Sequence, residues 1–232
     1  MVTKKTFLLS LGLVFLFSVV SCGNSKGHET NSSINGHKCV NLGLPSGTKW
    51  ATCNIGANAP EEYGDYYAWG EIEGKSDYSW DTYKWCMGSH LNMTKYCTNS
   101  WYGMVDNKSV LESEDDVAHI KWGGTWRTPT IEELRELEDK CTWEWITQNG
   151  VYGYRVIGPN GNSIFLPAAG SRYTSSREDD TGSYGCYWSS SLCRSSESCE
   201  AYRLRFNSDF RNCNFEGYDL RRFGYTVRPV SN

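Results

Sequence analysis

The chain has 232 residues and 39% hydrophobic content, which suits one globular domain with a targeting segment and a tether and argues against two full domains. With 23 basic against 27 acidic residues the formal net charge is −4, so the composition excludes a nucleic-acid binder whose affinity rests on neutralising phosphates. Aromatic residues reach 14%, more than a core of this size needs unless many rings sit half exposed.

The N-terminus reads as an export signal: "MVTKK" is basic, "TFLLSLGLVFLFSVV" is apolar, and "VVSC" ends on a small residue before Cys22. The apolar run falls short of the ~20 residues a spanning helix wants. This pattern resembles the lipobox of bacterial lipoproteins, which implies cleavage after residue 21, lipidation of Cys22, and an outer-membrane lipoprotein on the periplasmic or cell-surface face. Acyl chains contribute ~0.8 kcal/mol per buried methylene, and stable anchoring takes more than one chain. Residues 22–38 are rich in Gly, Ser and Asn and lack apolar periodicity, so a flexible tether is expected, with the domain running from 39 to 232.

Short apolar runs separated by "LPSGT" and "GANAPEEYG" predict strands and loops after Cys39. "EDDVAHI" predicts a short helix, with Ser113 and Asp116 at capping-box spacing and Val117 and Ile120 turned inward. The strongest helix signal is "TPTIEELRELEDKC": Thr130 and Glu133 form a capping box, and Ile131, Leu134, Leu137 and Cys141 share one face. "GYRVIG" and "NSIFLPAAG" predict strands joined in a hairpin by "GPNGN". "AYRLRFNS" alternates, with Leu204 and Phe206 on one face and Arg203 and Arg205 on the other, and "GYTVRPV" predicts a final strand. Few helices, many short strands and long loops give an α+β domain.

Several separated motifs, "VNLGLPSGTKWATCNIGA", "EEYGDYYAWGE", "WGGTWRTPTIEEL", "GNSIFLPAAG", "YWSSS" and "GYTVRPV", resemble the Fibrobacter succinogenes major paralogous domain. The resemblance covers about Cys39 to Val230. It implies a C-type lectin-like fold with two short helices, a small twisted antiparallel sheet, long loops and neighbouring chain ends.

The closing stretch "LRFNSDFRNCNFEGYDLRRFG" carries a separate signal. All 11 Lys lie at or before Lys140, whereas six of the 12 Arg fall between 194 and 222, and residues 192–226 contain no Trp, Met or Gln. A solvated surface is served by Lys as well as by Arg, so the bias asks for a reason outside stability. Mutation of adenines in Asn codons of the form AA-pyrimidine produces this residue set, and the stretch resembles the variable region in target proteins of diversity-generating retroelements. Candidate ligand-binding positions are Leu192, Cys193, Arg194, Tyr202, Arg203, Arg205, Asn207, Phe210, Arg211, Asn212, Asn214, Phe215, Tyr218, Asp219, Phe223 and Tyr225. Tyr187 to Ser191, Ala201, Leu204, Phe206, Ser208, Gly224 and Val227 to Val230 are the expected fixed framework. Tyr, Phe, Arg and Asn are residue types that binding surfaces favour.

Other chemistry is weaker. "YWSSS" has no nucleophile elbow around it, and serines in a turn explain it. Asp115 and His119 are four apart on a helix, but no third metal ligand accompanies them, so no metal is expected. The motifs of calcium-dependent sugar binding are absent, and no cofactor is expected. Formylglycine-generating relatives are oxidases with a paired-cysteine site, whose surroundings Cys186, Cys193, Cys199 and Cys213 do not reproduce. Among Cys53, Cys86, Cys97 and Cys141, closure of the loop between Cys86 and Cys97 is the first pairing expected. The Trp residues at 50, 69, 122, 126, 143, 145 and 188 are expected to pack in or near the core. The functional expectation is therefore a non-catalytic, lipid-anchored binding protein for an external protein or glycan. The alternatives are a structural or fimbria-associated adhesion component and, with less support, an enzyme of the formylglycine-generating type.

Overall fold

The computed structural model describes residues 32–173, 180–194, 197–212 and 217–232. Cys22, the signal segment, Cys213, Asn214 and Phe215 lie outside the described residues. Three antiparallel sheets dominate, accompanied by two short α-helices, so the chain is mostly β. No helix among the described residues is long and apolar enough to cross a membrane.

Regular structure starts earlier than the sequence suggests. β1 (Ser32–Ile34) and β2 (His37–Asn41) form a hairpin from residues expected in the tether. Asn35 (φ 46°) and Gly36 (φ 83°) both take positive φ, as a two-residue hairpin turn whose twist matches its strands requires. β3 (Lys49–Ala51) pairs with β2, and the last strand of the chain, β11 (Val230–Ser231), pairs with β3. Both ends of the described chain therefore meet in one sheet.

A long excursion with little regular structure follows β3 and leads to α1 (Val117–Trp122). Its N-cap is Asp116, whose carboxylate accepts from Ala118 N–H and from the amide and hydroxyl of Thr128. Ser113 instead sits in a 3₁₀ turn, and Ile120 is 45% exposed, so the helix starts three residues later than expected with a different face inward. In α2 (Ile131–Lys140) the predicted Thr130–Glu133 capping box is formed, and Ile131, Leu134 and Leu137 are buried. Arg127 forks onto the Glu133 carboxylate at 2.6 and 2.7 Å, fixing the approach to the helix.

β4 (Thr142–Gln148), β5 (Val151–Ile157) and β6 (Ser163–Pro167) form the second sheet, including the predicted β5–β6 hairpin. The third sheet runs β10 (Tyr218–Leu220), β8 (Glu200–Phe206), β7 (Gly185–Leu192), with β9 (Arg211–Asn212) beside β8. Every residue of β7 is buried, and Gly185 is tolerated because its missing Cβ leaves room for the Phe206 ring. Leu204 and Phe206 join α2, Trp50 and Tyr187 in the main core, while Trp69, Trp188 and Tyr225 form a second one. Trp126 is also buried, and Trp122, Trp143 and Trp145 pack against the cores. Of the closing "GYTVRPV", Val230 enters β11, whereas Gly224, Tyr225 and Thr226 make single bridges to Arg172, Tyr67 and Tyr187, because successive residues serve different neighbours.

No disulfide joins any two of the eight described cysteines in this structure. The expected Cys86–Cys97 bridge is not formed: Cys86 Sγ donates to Trp80 O at 3.1 Å and Cys97 Sγ to Asn99 O at 3.2 Å.

Candidate ligand-binding face

The sixteen candidate positions divide by burial. Leu192, Cys193, Tyr202 and Tyr225 are each at most 4% exposed and belong to the cores, so they present no side chain to a ligand. They are corrections to the expected face: β7 and β8 are covered on both sides, and alternation along β8 therefore does not mean exposure. Arg203 is corrected for the same reason. It is 7% exposed, and its Nε donates to Asp219 Oδ2 at 2.6 Å, an oxygen that also accepts from Tyr225 Oη at 2.9 Å.

Arg221 overturns part of the compositional argument. Its side chain is wholly buried and donates to the carbonyls of Lys95, Tyr96 and Ser198 and to the Tyr83 hydroxyl at 2.8–3.1 Å. The guanidinium also stacks 4.8 Å from the centroid of Trp69. A Lys has three donors around one point and cannot span these acceptors, so stability itself asks for Arg here. The Lys-free composition of the stretch is thus partly a packing requirement.

What remains at the surface is a strip of rings and guanidinium groups in which Phe210 is exposed and Tyr173, Tyr184, Arg205, Arg222 and Phe223 are half-buried. Phe210, 42% exposed, leads it from the β8–β9 turn, where Asn207 Oδ1 accepts from Asp209 and Phe210 N–H at 2.9 and 3.0 Å. Phe210 lies 6.3 Å from Tyr184, and the Arg205 guanidinium lies 4.7 Å over the Tyr184 ring. Tyr173 follows within electrostatic reach of Arg205 and meets Phe223 edge-on at 4.5 Å. Arg222 caps Phe223 at 4.6 Å and reaches Trp80 at 5.7 Å. Arg222 Nη1 donates to Tyr78 O at 2.7 Å, while Arg205 Nε and Arg222 Nε are buried atoms without a hydrogen-bond partner among the described residues, so ring contacts supplement the hydrogen bonding of these cations. Burial pushes the Tyr173 hydroxyl above its ordinary value, which keeps the phenol a neutral donor.

Around the strip, Arg211 is exposed and lies 5.6 Å over Trp143, while Arg194 is exposed and pairs with Glu132 at 3.3 Å. Asn212, Tyr218 and Asp219 are half-buried. Sequence reading missed Tyr173, Tyr184, Arg222 and Trp80. Tyr173 and Tyr184 flank residues 174–183 just upstream of the compositionally biased stretch, and Trp80 comes from the distant excursion.

Two other polar clusters are engaged in packing. Asp115 is buried and accepts from Tyr96 Oη at 2.7 Å and Lys95 Nζ at 2.6 Å, so the Glu112, Glu114 and Asp115 group already surrounds an ammonium. Ser189 Oγ donates to Tyr202 O, and Ser191 Oγ accepts from Ile131 N–H at the start of α2, which occupies two of the three serine hydroxyls of "YWSSS" in packing. A cavity of about 310 Å³ lies between β2 and β6, with Lys38, Gln148 and Arg155 in its lining. That lining offers cations, amides, the Cys53 thiol and the Thr52 and Ser163 hydroxyls, and neither a carboxylate nor a histidine. No family model matches the chain, and no curated protein or solved structure matches it.

Proposed function

We propose that the protein is a lipid-anchored envelope protein, held through Cys22, whose C-type lectin-like domain of the major paralogous type binds an external protein or glycan without catalysis. The observation that carries this reading is the pair of ring and guanidinium groupings, Phe210 with Tyr184 and Arg205, and Tyr173 with Phe223 and Arg222. Rigid rings with interleaved guanidinium groups bury large areas at low entropic cost and add planar hydrogen bonding. Diversification, if it operates, acts on the exposed members and on Asn214 and Phe215, with the buried positions held as framework.

The test compares the full chain with a Phe210→Ala, Arg211→Ala, Phe223→Ala triple variant on glycan arrays and cell-surface protein panels. The expected result is at least one ligand bound by the wild type and lost at least tenfold in the variant, with both proteins folded. Equal binding by the two places recognition elsewhere. A near-copy of the tail in neighbouring DNA, adenine-rich at the variable codons and accompanied by a reverse transcriptase gene, is the genomic mark of diversification.

A structural or adhesive role draws on a different observation. Met87, Leu91, Trp101, Met104 and Val105 are 45–83% exposed on the excursion before α1. Exposed large apolar side chains of this kind mark contact surfaces. Co-purification of an envelope partner that depends on Trp101 and Met104 is the outcome that favours this second reading.

A further inference from the structure

Cys86, Cys97 and Cys199 pack in one apolar cluster with Tyr78, Tyr83 and Met93. Cys97 is 0% exposed and Cys199 2%. Polar contacts one residue away bring these two together from distant parts of the chain: Thr98 N–H donates to Ser198 Oγ at 3.0 Å, and the two hydroxyl oxygens lie 3.3 Å apart. Arg221 clamps the same segments, with Nη1 donating to Tyr96 O at 3.1 Å and Ser198 O at 2.8 Å and its backbone N–H donating to Cys199 O at 2.9 Å. Both chain neighbours of Cys97 are thus tied to Ser198 or to the group that holds it, and Cys199 is the next residue. The Tyr102 phenol, on the turn that Cys97 Sγ caps, is also within electrostatic reach of Cys199.

We propose that Cys97 and Cys199 form a disulfide in the mature protein, fastening the excursion that carries the exposed Met and Trp side chains to the start of β8. The proposal rests on the reading that the chain is exported to an oxidising compartment. The competing Cys86–Cys97 pair is disfavoured by register, because the backbone places Cys86 opposite Met93.

The chemistry is thiol–disulfide exchange with a small-molecule or protein disulfide as oxidant. One cysteine thiolate attacks the oxidant disulfide, forming a mixed disulfide and expelling a thiolate. The second cysteine then attacks the protein sulfur and expels the other thiolate. Two protein thiols become one disulfide, and the oxidant is reduced to two thiols. Burial pushes the Cys199 thiol up to about 12, so the closed fold resists exchange, and pairing takes place before this cluster closes or when it opens.

Trypsin separates the three cysteines of the cluster into peptides 85–95, 96–108 and 195–203, each with one cysteine. The full chain is taken from its envelope under iodoacetamide and, in parallel, unfolded, reduced and refolded in a reduced/oxidised glutathione buffer. Mass spectrometry is expected to find 96–108 linked to 195–203 in both samples, with the link lost in Cys97→Ser and in Cys199→Ser and kept in Cys86→Ser. Closing so long a loop is expected to raise the melting temperature by roughly 10 °C over the reduced protein. Alkylated Cys97 and Cys199 in both samples, or a link between 85–95 and 96–108, overturns the pairing. The link after refolding but free thiols in the cell overturns the export reading and leaves the geometric pairing standing.

Discussion

Arg221 decides between two accounts of the arginine-rich tail, because a residue varied for binding is replaceable while a packing residue is not. In Arg221→Ala the carbonyls of Lys95, Tyr96 and Ser198 and the Tyr83 hydroxyl each lose a donor. A buried group left unsatisfied costs about 1–3 kcal/mol, and water entering the vacated space offsets part of the sum, so the net loss expected is about 3–5 kcal/mol. For a domain of this size that is a fall of roughly 6–20 °C in melting temperature. Arg221→Lys keeps the charge but not the planar fork or the stacking on Trp69, and is expected to lose about 2 kcal/mol. Urea unfolding followed by tryptophan fluorescence measures both, with guanidinium-free buffers to avoid supplying the missing group. An alanine variant within about 1 kcal/mol of the wild type refutes the reasoning, because surface substitutions fall in that range.

Other substitutions separate framework from face. Arg203→Ala leaves Asp219, only 25% exposed, without its cation and is expected to cost about 2 kcal/mol by the same unfolding assay. Phe210→Ala and Arg211→Ala are expected to change stability by no more than about 0.5 kcal/mol, since both side chains are exposed. Glu133 titrates below its ordinary value of 4.5: burial works against ionisation, but the hydrogen bonds from Arg127, Thr130 and Thr48 outweigh it. A lowered carboxyl adds stability that is complete above the unfolded value and is lost as pH falls through the folded one. The advantage of the wild type over Glu133→Gln is therefore expected to be full above pH ~5 and to shrink on further acidification, as chemical unfolding across pH will read.

The parts legible in the sequence are those where local and tertiary demands coincide. Thr130 and Glu133 cap α2 because neighbouring groups satisfy each other, whatever the fold, and Ile131, Leu134 and Leu137 then share a face by geometry alone. The β5–β6 hairpin follows equally from its turn. Residues 32–38 were hidden by a polar composition typical of tethers, although Asn35–Gly36 is itself a hairpin signal. The burial of Arg203, Arg221 and Tyr225 was not legible, because their partners Asp219, Tyr96 and Tyr67 are matched only by the fold. An arginine that fans onto carbonyls and one that faces solvent leave the same letter in the sequence.

That ambiguity yields a sharper expectation than composition alone. A position is free to vary only where no other residue depends on its side chain, and the structure sorts the tail by this rule. Arg194, Phe210 and Arg211 contact few neighbours and extend outward, whereas Arg203 neutralises Asp219, Arg221 holds three carbonyls, and Tyr225 fills the core beside Trp188 at 4.4 Å. Comparison of this locus between sister isolates is therefore expected to show substitutions concentrated at 194, 210 and 211, and at 214 and 215 outside the described residues, and nearly absent at 203, 221 and 225. Variation spread equally over both sets means that the framework tolerates losing buried cations, and the division between scaffold and face falls. An invariant tail in every isolate leaves the scaffold intact but removes diversification as the origin of its composition, because packing accounts for Arg203 and Arg221 without it.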